Sequence, residues 1–173
     1  MAWTRKHKTY SRPRKPFDKV RMEEENVIVE KYGLKNKREI WKAEAAISKI
    51  RTQAKKLITE PLEEQEKLYE KLNKMGLGVK SIPEVLALSK EDWLGRRLQT
   101  IIANKGMATT IKQARQLITH KHVKINGKIK NIPSYPVKVK EEKMIEIKEK
   151  KEKVKKATEI VIETPATEEE KEE

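Results

Sequence analysis

Apolar positions in this 173-residue chain recur at helical spacing over its first two thirds, and they change to alternation toward the end. Ile40, Ala43, Ile47, Ile50, Ala54, Leu57 and Ile58 succeed one another at mostly three- or four-residue steps, the repeat of a helix with one buried face. Asn36 and Glu39 in front of them read as a capping box, and Pro61 sets the end near Thr59. A second amphipathic helix runs from Leu62 through Leu68 and Leu72 to Met75, where Gly76 and Gly78 stop it. Ser89 and Asp92 form another capping box, opening a helix that carries Trp93, Leu94, Leu98, Ile101 and Ile102 and ends at Gly106. Gly95 inside it costs about 1 kcal/mol relative to alanine and marks a join between the helical region and the segment beyond it. Thr110, with Gln113 at the third position, caps a shorter helix with Ile111, Ala114, Leu117 and Ile118 on one stripe. Lys112, Arg115, Gln116 and Thr119 fall on the other side.

Alternation begins at Val123. Val123 and Ile125, then Asn126-Gly127, then Ile129, have the form of a tight hairpin with a type I′ turn. Val137 and Val139, then Met144, Ile145 and Ile147, predict further short strands. The expected class is therefore α+β: a mostly helical scaffold over residues 22–95, and over 96–148 a small unit of two helices packed on a small sheet. An extended basic arm, residues 1–21, precedes the scaffold, with Pro13 and Pro16 and with Trp3, Tyr10 and Phe17 at intervals of seven. A charged tail over 149–173, in which Lys and Glu alternate before a Glu-rich end, is expected to be disordered.

Charge changes this picture from a plain helical protein to one built around a polyanion. The chain carries 41 Lys and Arg against 27 Asp and Glu, a formal net charge of +14. Residues 1–21 contribute +7, residues 22–95 sum to zero, and the tail from residue 141 contributes −4. Residues 96–140 hold eleven Lys or Arg and no Asp or Glu. A phosphate backbone gains from each cation through counterion release and is repelled by each carboxylate, so a stretch cleared of acids points to nucleic acid. In the arm, Arg5, Lys6, Lys8, Arg12, Arg14 and Lys15 stand among aromatic rings that could stack on bases or anchor the arm to its own helices.

Other chemistry is excluded or weak. There is no cysteine, hence no disulfide framework and no thiolate ligand or nucleophile. No apolar run is long enough for a membrane span or a secretory signal, and the chain is expected to be soluble and intracellular, without a membrane partner. Glycine-rich phosphate loops and the common catalytic signatures are missing, and residues 96–140 offer no carboxylate for acid or base work. Glu23 to Glu25 and Glu168 to Glu170 read as solvated charge. His120 and His122 flank Lys121 without further ligands nearby, so they suit phosphate or base rather than a metal. No catalysis, cofactor or metal is expected. A DNA-binding helix-turn-helix is the competing reading of two helices before a hairpin, against which the basic aromatic arm argues.

The stretch from Leu94 to Val137 resembles the S-four RNA-binding domain. The resemblance is carried by Arg96-Arg97-Leu98-Gln99-Thr100, by Thr110-Ile111-Lys112-Gln113-Ala114-Arg115-Gln116-Leu117-Ile118, by His120, by Val123-Lys124-Ile125-Asn126-Gly127 and by Pro133-Ser134-Tyr135. With Lys37-Arg38-Glu39-Ile40-Trp41 and the basic opening from Trp3 to Pro16, nearly the whole chain before about residue 150 resembles the small-subunit ribosomal protein four family in its archaeal and eukaryotic form. The resemblance implies a structural, non-enzymatic binder of small-subunit ribosomal RNA that nucleates assembly of the subunit body and influences decoding accuracy. It implies a cytoplasmic, ribosomal location near the messenger entry channel, beside neighbouring proteins such as protein five of the same subunit. It places the RNA face on Arg96, Arg97, Thr110, Lys112, Arg115, Gln116, His120, Lys121, His122, Lys124 and Lys128. Helical periodicity alone puts Lys112, Arg115 and Gln116 on one side. Arg115 is the strongest single candidate, because its planar guanidinium can fork onto phosphate and the stretch 96–140 around it offers no carboxylate.

Overall fold

Helix α1 (Lys19–Tyr32) has no counterpart in the expected elements, because its apolar residues are few and its Glu run masks them. The computed structural model describes residues 8–147. Expectations placed on Trp3, Arg5, Lys6 and the charged tail lie outside the described residues. From Lys8 to Asp18 the arm lacks regular structure, and the first helix begins at Lys19.

Helix α2 (Arg38–Lys56) is the axis of the scaffold, continued by a single 3-10 turn at Leu57–Thr59. Ile40, Ala43, Ile47 and Ala54 are buried as the periodicity requires, whereas Ile58 is exposed. The expected capping box at its start does not form. Lys37 occupies the cap without a side-chain hydrogen bond, and Glu39 is drawn away to arginines of a distant segment. Helices α3 (Leu62–Lys74), α4 (Ile82–Ala87) and α5 (Lys90–Gly95) complete the scaffold. Leu68, Leu72, Val79, Val85 and Leu88 pack with Ile47 and Ala54 into one apolar cluster. Ile28, Leu34, Ile40, Ala43 and Leu94 form a second, beneath α1. The Ser89–Asp92 capping box is present in both directions.

The long helix expected from Ser89 to Gly106 is broken in two. After Gly95 the chain turns, and α6 (Leu98–Asn104) starts afresh from Arg97, whose ψ of 144 is extended. The physical reason is backbone pairing elsewhere. Arg96 and Arg97 N–H still close the last turn of α5 on the Trp93 and Leu94 carbonyls, but Leu98 N–H donates to the Tyr135 carbonyl at 2.9 Å and Val137 N–H donates to the Arg96 carbonyl at 3.0 Å, so from Leu98 on the chain bonds to an extended segment instead of continuing that helix. Gly95 does lie at this join.

Helix α7 (Ile111–Thr119) comes next, then strands β1 (Val123–Ile125), β2 (Lys128–Ile129) and β3 (Ile145–Ile147), in the antiparallel order β2-β1-β3. Asn126 and Gly127 have φ of 51 and 72, the paired positive values of a type I′ turn. Val137 is buried in the extended segment, but the strand expected at Val139 is instead the start of a short helix, α8 (Val139–Glu142). Leu98, Ile101, Ile102, Ala114, Ile118, Val123, Ile125, Val137 and Ile145 close a third core between α6, α7 and the sheet.

Glu25 also overturns its expected place in solvent. It is 4% exposed and accepts hydrogen bonds from Arg21 at 2.7 Å and from the Trp41 indole at 2.9 Å, with the Lys37 ammonium 3.5 Å away. Burial raises its pKa, but the hydrogen bonds from Trp41 and Arg21 and the charges of Arg21 and Lys37 outweigh it, and the carboxyl sits below its usual value. A depressed carboxylate contributes stability above its unfolded pKa, and the contribution disappears as pH falls through the folded value. Glu25→Gln is therefore expected to lower stability by about 1–3 kcal/mol at pH 7. Urea melts of both proteins down to acid pH should show the gap closing below the unfolded value of about 4.3. A gap that stays constant with pH would contradict the paired carboxylate.

Candidate nucleic-acid interface

The outer side of α7 is built by its caps and its amphipathic spacing. Thr110 accepts a hydrogen bond from Gln113 N–H at 3.1 Å, and the Gln113 side-chain oxygen accepts one from Thr109 N–H at 2.9 Å, which fixes the first turn. Ala114 and Ile118 are fully buried, so the rotation of the helix leaves Thr110, Lys112, Gln116 and Thr119 exposed.

The C-terminal end of α7 adds a cation in a costly conformation. Lys121 N–H donates to the Ile118 carbonyl and His122 N–H to the Leu117 carbonyl, both at 3.0 Å, the two bonds of a Schellman turn. The left-handed position of that turn, usually glycine, is held by Lys121 with φ of 62. A side chain there costs about 1–2 kcal/mol. The result is an exposed ammonium between exposed His120 and half-buried His122, aligned with the exposed side of the helix. Lys124, half-buried between inward-facing Val123 and Ile125, and Lys128, exposed beside the hairpin turn, extend the positive surface to the sheet. His120 and His122 belong to no group of three ligating side chains among the described residues.

The arginines behave differently. Arg96 and Arg97, expected on the RNA face, are turned inward. Arg96 Nε donates to the Met75 carbonyl and Nη2 to the Val137 carbonyl and to Glu142, each at 3.0 Å. The Arg97 side chain is 5% exposed and is ion-paired with Glu39, while its Nε is buried without a hydrogen-bond partner among the described residues. Arg115 is intermediate. Its side chain is 27% exposed, donates to the Gln99 side chain at 3.4 Å and stands 3.7 Å from Glu39. The expectation that Arg115 has no carboxylate partner holds within its own unit and fails across the fold, because Glu39 arrives from α2. Nothing in the linear sequence signals that pairing.

The buried Gln99 completes this seam. Its side-chain amide donates to the Gly33 and Ile111 carbonyls, both at 3.1 Å, and so ties the end of α1 to the start of α7. Gly33, with φ of 56, permits the approach: a Cβ there would stand 2.8 Å from Ile111 Cγ2.

A second positive surface lies on the scaffold, where the balanced charge of residues 22–95 had suggested no site. Tyr10 of the arm lies against Trp41, with ring centroids 6.1 Å apart, so this ring anchors the arm. Between arm and α2 an open groove is lined by Lys8, Lys42, Lys49, Arg51, Lys56 and Lys90, with Glu44 the one acid on its walls among the described residues. The overlooked signal was spacing: Lys42, Lys49 and Lys56 recur at seven residues, which stacks them on one face of α2 over roughly 21 Å. Arg12, Arg14 and Lys15 of the arm are exposed, as is Phe17, which is 91% exposed and so anchors nothing among the described residues. No helix among the described residues is long and apolar enough to cross a membrane.

Comparison with known proteins agrees with the layout of the second half. The model of the S4 domain matches residues 96–143, from the chain reversal after Gly95 to just past α8. The chain is 44% identical to the small ribosomal subunit protein uS4 of Thermoplasma acidophilum, over 83% of this chain and 76% of that one. It is 45% identical to the uS4 protein of Saccharolobus solfataricus, over 80% of this chain and 81% of that one. Identity to the uS4 protein of Korarchaeum cryptofilum is 44%, over 84% and 92%. These matches run through scaffold and S4 domain together, and the chain belongs to the small ribosomal subunit protein uS4 family, in its archaeal form.

Proposed function

We propose that the chain is a non-catalytic structural component of the small ribosomal subunit, in the cytoplasm, which binds small-subunit ribosomal RNA through two separate positive surfaces. The observation that carries this reading is the exposed side of α7 and its terminal turn, where Thr110, Lys112, Gln116, His120 and Lys121 stand together in a stretch without acids. Lys124, His122 and Lys128 continue that surface, and Arg115 reaches its edge. Arg96 and Arg97 act from behind, by fixing where α6 starts. The second surface is the groove between arm and α2, with Lys8, Arg12, Arg14 and Lys15 at its rim and Arg5 and Lys6 earlier in the arm's sequence. Cations on two faces of one rigid body hold two RNA segments at a fixed separation, and the second segment then binds at high effective concentration.

Nucleating assembly of the subunit body is the natural consequence of such a clamp, since RNA segments far apart in sequence are brought together before other proteins arrive. The family resemblance adds protein five as a neighbour, a place near the messenger entry channel and an influence on decoding accuracy.

Sedimentation of cell extract through a sucrose gradient in high salt tests the reading. Retention of the chain with small subunits is the expected result, and release into the light fractions would overturn it in favour of a transient assembly factor. The cost of the left-handed Lys121 supplies a second test. Lys121→Gly should raise stability by about 1 kcal/mol and at the same time weaken RNA binding, with the salt slope flatter by about one phosphate. Thermal melts and filter binding read the two effects, and unchanged RNA affinity would remove Lys121 from the interface.

A further inference from the structure

Glu39 occupies a position that serves neither a helix cap nor a core. It stands in the first turn of α2, where its sequence suggested a capping box, yet its carboxylate leaves the cap unfilled and lies between two arginines of the S4 domain. The two arginines are held unequally. Arg97 is buried and closely paired with Oε2. Arg115 is 3.7 Å from Oε1, beyond hydrogen-bonding distance, and its other restraint is a long 3.4 Å hydrogen bond to Gln99. Arg115 also shares its side of α7 with exposed Lys112, Gln116 and Thr119.

We propose that Glu39 is a specificity-determining residue for RNA: an internal counter-charge that keeps Arg115 drawn back toward the seam, so that only a phosphate presented at the junction of α2 and α7 recruits it. The inference rests on the RNA-binding reading above and deepens it. Physically, two guanidiniums and one carboxylate leave the cluster with a single surplus positive charge. A passing phosphate has to compete with Glu39 for Arg115. An RNA whose folded shape sets a phosphate against α7 gains Arg115 along with Lys112 and Lys121, and the combined contacts outweigh the carboxylate. Flexible, shapeless RNA lacks that combination. Glu39 thereby acts through Arg115 and is a positioning residue, not a direct contact.

The test uses the full chain and two probes, folded small-subunit ribosomal RNA and poly(U), in filter binding across a salt series. Glu39→Gln is expected to strengthen poly(U) binding by about threefold to tenfold and to steepen its salt slope by about one phosphate, while folded ribosomal RNA, whose two-surface grip also depends on the Glu39–Arg97 pair, does not gain. In a chain already carrying Arg115→Gln, the same substitution should leave poly(U) binding unchanged, because the side chain it releases is gone. Glu39→Asp, which keeps a negative charge in the cluster on a side chain one methylene shorter, should give an intermediate gain, and it remains readable if Glu39→Gln melts early. A loss of binding to both RNAs in proportion to lost stability, or a poly(U) gain that persists with Arg115→Gln, would overturn the proposal and leave Glu39 purely structural. A wild-type chain that fails to prefer folded ribosomal RNA would instead overturn the RNA reading itself, and this inference with it.

Discussion

The ion pair of Glu39 with buried Arg97 is the interaction on which the arrangement of this protein depends. It joins the first turn of α2 to the residue that starts α6, at the one place where the chain passes from scaffold to S4 domain. Removing Glu39 would leave the Arg97 charge inside the protein, a loss of about 3–5 kcal/mol. Around it, Gln99 bonds to the backbone at both sides of the seam, Gly33 lets α7 approach the end of α1, and Arg96 ties the junction to Met75 and Glu142. These are directional contacts, so they fix orientation where an apolar interface alone would allow sliding. A clamp for two RNA segments needs that rigidity, because effective concentration falls when the two surfaces move independently.

The same contacts sharpen the electrostatics. Glu25, Glu39 and Glu142 lie at least partly inside, each paired with an arginine. These carboxylates are thus drawn toward the seam and the helix contacts, and the remaining lysines on α7 and along the groove face outward with little opposing charge. Salt dependence of binding should be governed by those lysines. The arginines, better suited to fixed bidentate geometry, hold the frame.

Much of this was legible in the sequence where the determinants were local. The hairpin at Asn126-Gly127, the Thr110 cap, the Ser89–Asp92 capping box and the inward stripe of α7 each depend on residues within a few positions, and each is present. The acid-free stretch and the motifs between Leu94 and Val137 also led to the family. The features that escaped were set by distant partners. The helix expected across Arg96 breaks because its backbone pairs with residues 133–137, and Val139 turns into a helix where alternation suggested a strand. Glu39 was assigned to a cap that it abandons for arginines far along the chain. Helix α1 and its buried Glu25 were hidden by a run of acids that looked solvated. On α2, the count of charges concealed their placement, since Lys42, Lys49 and Lys56 balance acids that lie elsewhere.

Hydroxyl-radical footprinting of small-subunit ribosomal RNA bound to the full chain tests the two-surface clamp most directly. Two separated patches of protection are expected with the wild-type protein, and the combined Lys42→Gln, Lys49→Gln and Lys56→Gln variant should lose one patch while keeping the other. A single continuous patch, or the loss of all protection together, would contradict an account in which two positive faces of one rigid body hold two RNA segments.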